Sequence, residues 1–279
     1  MKKTILLLAF FSFISAPLSA KVIWFADPDQ STKVTNFFKR LDDGNYPQDY
    51  CKVKGDHEDV EASTVEVLSD EELGKVWKIN KPNNRKRGEF ARVEGQLDSF
   101  SPKEGDDIYL AWQWKIDTVD KAKIDKEVTV FQWKSASPHN QNYPLNLEYD
   151  GELTLNAWGP NYVENKGYHN RRTVLWRKAV PQNEWVSIVI RIKVNKEDFG
   201  GLVQFWFNGE QQILENLESK EYQVKVSDDK KTVFHRTNDG RFVYPKWGVY
   251  NKRSCQYDVN AYFHNMKLGT SLATVMPKL

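Results

Sequence analysis

From residue 75 onward the chain is cut into short runs in which apolar and polar residues alternate, and that alternation restricts what it can fold into. Within Ile108–Ile116, Leu110, Trp112, Trp114 and Ile116 fall on one side, and Tyr109, Ala111, Gln113 and Lys115 on the other. A period of two is that of a strand with one buried face. Val186, Ile188, Ile190, Ile192 and Val194 repeat the pattern within 185–194. Further strands are predicted at 76–79, 87–94, 128–134, 145–149, 152–158, 202–207 and 258–268. Asp150-Gly151 and Asn208-Gly209 are two-residue hairpin signals between such runs. Thr35–Leu41 reads as a short helix, 60–68 as strand, 159–173 as loop and 215–240 as charged surface excursions. Short strands, tight turns and almost no helical periodicity predict an all-β antiparallel sandwich, a jelly roll of two sheets with one concave face left polar. With no internal repeat and no linker, residues 21–279 are expected to form a single domain.

Residues 1–20 read as a secretory leader. Lys2 and Lys3 precede an apolar run from Ile5 to Ile14, and Ala16-Pro17-Leu18-Ser19-Ala20 resembles a cleavage region. The run is too short for a membrane anchor. The mature protein is therefore expected to be secreted or periplasmic, with no membrane partner. Losing Lys2 and Lys3 takes the formal charge from +2 to zero, which removes the basic field that nucleic acid would require. The two cysteines, Cys51 and Cys255, are expected to form one disulfide in an oxidising compartment. His57 lies among Asp56, Glu58 and Asp59, but neighbours in a strand point apart, and a solvated acidic turn fits better than a metal site. The ten Trp can fill a core or stack on sugars.

Three strands carry polar groups at spacings of two or four. Arg87 and Glu89 share one face. Gln132 and Lys134 share another, alongside Val128 and Val130. Tyr244, Lys246, Gly248 and Tyr250 share the third, with Trp247 and Val249 turned the opposite way. On adjacent strands they would make a cationic, amide-bearing groove suited to an anionic, hydroxyl-rich ligand. Taken singly, each patch also fits an ordinary solvent-facing strand.

Tyr-x-Lys-x-Gly-Val-Tyr-Asn at 244–251 resembles the C-terminal motif of jelly-roll alginate lyases. Arg87-x-Glu89 resembles their Arg-x-Glu motif, and Gln132-Trp133-Lys134 their Gln-hydrophobic-His motif. All three stand in family order, and the wider group of glucuronan and heparin-lyase-like polyuronate lyases, with its concanavalin-like jelly roll, fits as well. The chain departs from the pattern at Lys134, where the family has His. Pro245 and Trp247 replace Phe and Ala, and Lys252 replaces Gln. Ala91 stands where a second Arg is usual, and Arg92, one residue on, would face away unless a bulge intervenes.

The resemblance implies β-elimination on an acidic polyuronate, alginate-like first and glucuronan next. Arg87 and Gln132 would neutralise the uronate carboxylate, and Tyr250 would protonate the leaving oxygen. Tyr250, Lys134 or His169 would be the base. Tyr244, Lys246, Glu89, Asn251, His169, Arg171 and Arg172 are the expected substrate-binding residues. No cofactor is required. Some related lyases hold a structural calcium, for which the sequence marks no site. A monomer acting on an acidic polysaccharide is expected. Two other readings remain: a lectin-like binding protein on the same fold, and a glycoside hydrolase using Glu148 and Glu152.

Overall fold

The computed structural model describes residues 20–43, 61–83, 85–93, 100–119, 123–139, 143–160, 171–220, 222–250 and 257–277. Cys51, Cys255, His57, His169, Asn251, Lys252 and the leader up to residue 19 lie outside the described residues. In chain order the strands are β1 (Val22–Ala26), β2 (Phe38–Asp42), β3 (Thr64–Asp70), β4 (Gly74–Lys81), β5 (Arg87–Val93), β6 (Asp107–Thr118), β7 (Val128–Ser135), β8 (Leu145–Tyr149) and β9 (Glu152–Trp158). They continue with β10 (Arg172–Ala179), β11 (Val186–Lys193), β12 (Gly201–Phe207), β13 (Glu210–Gln211), β14 (Glu218–Ser219), β15 (Lys225–Val226), β16 (Val233–His235), β17 (Val243–Tyr250) and β18 (Val259–Gly269).

These strands form two antiparallel sheets, the jelly roll expected from the alternation. One has ten strands, in the order β15-β16-β12-β11-β6-β18-β4-β3, with β1 on β18 and β13 on β12. The other has eight, in the order β14-β10-β9-β8-β7-β17-β5-β2. Leu110, Trp112, Trp114 and Ile116 are buried between them, as are Trp133, Trp247 and Val249. The Trp247 indole lies near Trp24, Phe131 and Trp112, with ring centres 5.8–6.1 Å apart. Aromatic burial of this kind supplies the apolar area that drives the sheets together. Since Trp247 and Val249 point inward, Tyr244, Lys246 and Tyr250 project from the outer face of the eight-stranded sheet.

Three expectations are corrected. Thr35–Leu41 does not form an α-helix: Val34–Asn36 makes one 3₁₀ turn and Phe38–Asp42 is an edge strand paired with β5. Phe38 stacks on Phe90 at 4.3 Å, and that packing outweighs local helix preference. Val128 and Val130 do not share the polar face of Gln132, because both join the core. A register shift between Thr129 and Phe131 changes the phase of β7 there. Residues 215–240 are not purely surface excursions, since β16 pairs with β12 and Val233, His235, Thr237 and Asn238 are buried.

Gly248 lies where β17 passes close to the backbone of β5. It pairs with Glu89 at φ +150°, and a Cβ there would stand 2.1 Å from the carbonyl oxygen of Gly88. Gly248→Ala is expected to cost about 2 kcal/mol or more, because both backbone strain and the steric clash must be relieved. A urea titration of the variant against wild type checks this.

Candidate active site

The order β7-β17-β5-β2 brings the three sequence patches side by side. Lys246 pairs with Gln132 on one flank and Ala91 on the other, Gly248 with Glu89, and Tyr250 with Arg87. Lys246 Nζ donates to Glu89 Oε2 at 2.7 Å and to Asp42 Oδ2 at 2.9 Å. Gln132 Nε2 donates to Glu89 Oε1 at 2.6 Å, and Arg87 donates to Asp42 Oδ2 at 2.9 Å. The Arg87 guanidinium also lies 4.4 Å from the centre of the Tyr250 ring, with Lys86 Nζ at 5.4 Å. Charge-assisted bonds of this kind are short and directional, so they hold the polar floor of the face in one arrangement.

Glu89, Gln132 and Lys246 are each 3% exposed or less, so their polar atoms are satisfied mainly by one another. Burial alone would raise Asp42, but Lys246 and Arg87 beside it outweigh burial and hold it at about 2. Burial also disfavours the Arg87 cation, yet Glu89 and Asp42 raise it above its ordinary value. Asp42 is therefore a member of the cluster, and the helix reading of 35–41 concealed it, because only a strand beside β5 carries it to Arg87.

Lys134 stands opposite Tyr244 across β7 and β17. Burial, with the Lys246 cation next in importance, pushes its ammonium down to about 8. His139, just past the end of β7, is pushed down by burial and then by Lys134. It was not among the residues read as candidates, because it stands five positions beyond the place where the motif expects a His.

Arg92 reaches the outer face without a bulge. Its φ of +60° breaks the alternation of β5, so Val93 enters the core while the Arg92 guanidinium sits 5.1 Å from the Tyr244 ring centre. Burial pushes the Tyr244 phenol up, against the lowering effect of Lys246 and Arg92.

Farther across the same sheet, Arg172 lies on β10, where it donates to Glu148 at 3.4 Å. Arg171 precedes that strand, half-buried, and so lies apart from the β7-β17-β5 cluster. Glu148 also accepts from Asn146 and Asn156, at 3.0 and 3.1 Å. Burial raises its carboxyl, against those bonds and Arg172. Glu152 is exposed at the turn. Among the described residues no group of three or more His, Cys, Asp or Glu is arranged to hold a metal ion.

The face combines a phenol under a guanidinium, a carboxamide and a partly desolvated amine, a set able to bind a carboxylate and move protons beside it. A model of the family described as polysaccharide lyase matches residues 44–267. No curated protein matches the chain. Among solved structures, an endo-β-1,4-glucuronan lyase from the fungus Trichoderma reesei is 13% identical, with 85% of this chain and 93% of that chain covered and a TM-score of 0.54. An alginate lyase from Aplysia kurodai is 13% identical, with 73% and 86% covered and a TM-score of 0.43. At these identities the likeness is one of fold. The family model spans most of the sequence, and on that ground the chain belongs to the polysaccharide lyase family.

Proposed function

We propose that this lyase is exported, with residues 1–20 as its leader, and cleaves a uronate-bearing polysaccharide by β-elimination. Alginate-like chains are the first substrates to test and glucuronan the next. The observation that carries this reading is the meeting of Arg87, Gln132 and Tyr250, from three neighbouring strands, around the Glu89–Lys246 pair.

In the reaction a base takes H5 of the uronate, and its electron pair becomes the C4–C5 double bond. The C4–O bond breaks, and the leaving oxygen takes a proton. The difficulty is the negative charge that builds on the carboxylate as H5 departs. In this reading Arg87 and the Gln132 amide offset it, and a donor of this kind typically contributes about 3 kcal/mol to the transition state. The Gln132 amide has two N–H donors, of which Glu89 takes one. Tyr250 supplies the proton to the leaving oxygen, with Arg87 over its ring stabilising the charge that develops there.

Of the three bases that the motifs and the loop offer, Lys134 and Tyr250 lie among the described residues. Lys134 acts only when neutral, and its neutral fraction grows as pH rises through about 8. With Lys134 as base, kcat/KM rises across that range and the rise disappears in Lys134→Met. A limb that persists in the variant takes Lys134 out of the role of base. The substrate test incubates the protein with alginate, polymannuronate, polyguluronate, glucuronan and heparin and follows the ultraviolet absorbance of the conjugated unsaturated uronate. New reducing ends without that absorbance would indicate hydrolysis instead, and binding with neither a lectin-like role.

A further inference from the structure

Arg92 differs from Arg87 and Lys246 in how it is held on the outer face of the eight-stranded sheet. Lys246 and Arg87 share two carboxylates: Glu89 lies 2.7 and 3.6 Å from them, and Asp42 lies 2.9 Å from each. The Arg92 guanidinium has no ion pair among the described residues. Rings hold it instead, with the centre of Tyr244 at 5.1 Å and that of Phe242 at 5.6 Å, and the two rings are themselves 6.1 Å apart. Arg92 is exposed and both rings are half-buried. A guanidinium held by rings and not by an acid keeps an uncompensated charge, and its N–H fork matches a carboxylate.

The chain is strained to place it there. Phe90, two residues earlier on β5, points into the core, and regular alternation would send Arg92 the same way. A φ of +60° at a residue other than glycine is costly, and it carries the side chain outward. Arg92 does not take the place of a side chain at Ala91. Ala91 is buried and pairs with Lys246 in the middle of the cluster, whereas Arg92 sits beside Phe242 and Tyr244, at the opposite end of β17 from Tyr250. Tyr244 and Tyr250 are separated by about 20 Å of extended chain. A few sugar units laid along β17 from Tyr250 would pass Lys246 and Gln132 and reach Arg92.

We propose that Arg92, with Tyr244 and Phe242, forms a second anion site on this face. It binds the carboxylate of a uronate unit a few sugars away from the bond to be cleaved, so that the polysaccharide runs along β17. This rests on the lyase reading for the cleaved bond, but its test does not depend on turnover.

Calorimetric titration of the whole mature protein uses octasaccharides of glucuronan and of alginate. Arg92→Gly removes the guanidinium and supplies the residue that takes φ +60° most readily, so β5 keeps its path. At about 0.01 M salt the variant is expected to bind about tenfold more weakly whichever octasaccharide wild type binds. At about 0.15 M salt the gap should narrow to about threefold or less, as the Debye length falls from about 30 to about 8 Å. No binding of either octasaccharide by wild type, an affinity of Arg92→Gly within about twofold of wild type at the lower salt, or a gap that salt does not narrow overturns the proposal. If the binding pattern holds and neither octasaccharide yields an unsaturated product, the β-elimination reading fails and the anion site stands. If unsaturated products form and Arg92→Gly binds as wild type does, the anion site fails and the elimination stands.

Discussion

Replacing Tyr250 with phenylalanine is expected to lower kcat by about 10²–10⁴-fold, the range typical of a positioned proton donor or acceptor, while changing substrate affinity by no more than about twofold. The substitution removes one oxygen and leaves the ring. The ring is what the Arg87 guanidinium covers at 4.4 Å, and Arg87 is independently bonded to Asp42, so neither group loses its place. The expected pattern, a fall in kcat with KM nearly constant, is that of an interaction made in the transition state. Steady-state kinetics on a polymer that wild type cleaves checks it, and turnover near that of wild type would take Tyr250 out of the mechanism.

The second large effect falls on stability. Lys246→Met removes the cation that bonds Glu89 and Asp42 at 2.7 and 2.9 Å. Glu89 is 1% exposed and would keep Gln132 at 2.6 Å and Arg87 at 3.6 Å. Breaking a buried pair on one side costs about 3–5 kcal/mol, because the remaining charge is left desolvated. That is a large part of the roughly 5–15 kcal/mol by which a domain is stable. Lys246→Met together with Glu89→Gln should recover part of the loss, since no uncompensated carboxylate then remains. Denaturant midpoints for the two single variants and the double variant give the coupling directly. Strict additivity would mean that the pair does not act as a unit.

Much of the fold was legible because strands with one buried face show themselves. Leu110, Trp112, Trp114 and Ile116 alternate without interruption and all line the core. The hairpin at Asp150-Gly151 joins β8 and β9 with the boundaries that its turn residues imply. The grouping of Arg87, Gln132 and Lys246 followed from spacing and motif order.

What escaped the sequence depends on breaks in that alternation and on pairing across long separations. The phase change near Thr129 moved Val128 and Val130 inward. One left-handed residue, Arg92, swung its guanidinium to Tyr244, where a regular strand would have turned it away. Asp42 was invisible as a member of the cluster because nothing local announces that Phe38–Asp42 lies along β5. His139 lies past the strand that carries the motif, and only the folded chain brings its imidazole near Lys134.

The central claim, that the bond is broken by elimination and not by water, is tested most directly by the mass balance of the products. Oligosaccharides of defined length, taken from whichever uronate polymer is turned over, are digested in water enriched in oxygen-18 and analysed by mass spectrometry. Elimination predicts that the two product masses sum to that of the substrate, with no heavy oxygen at the cleaved bond and a double bond on the new non-reducing end. Products that together exceed the substrate by the mass of one labelled water, with both ends saturated, would contradict it.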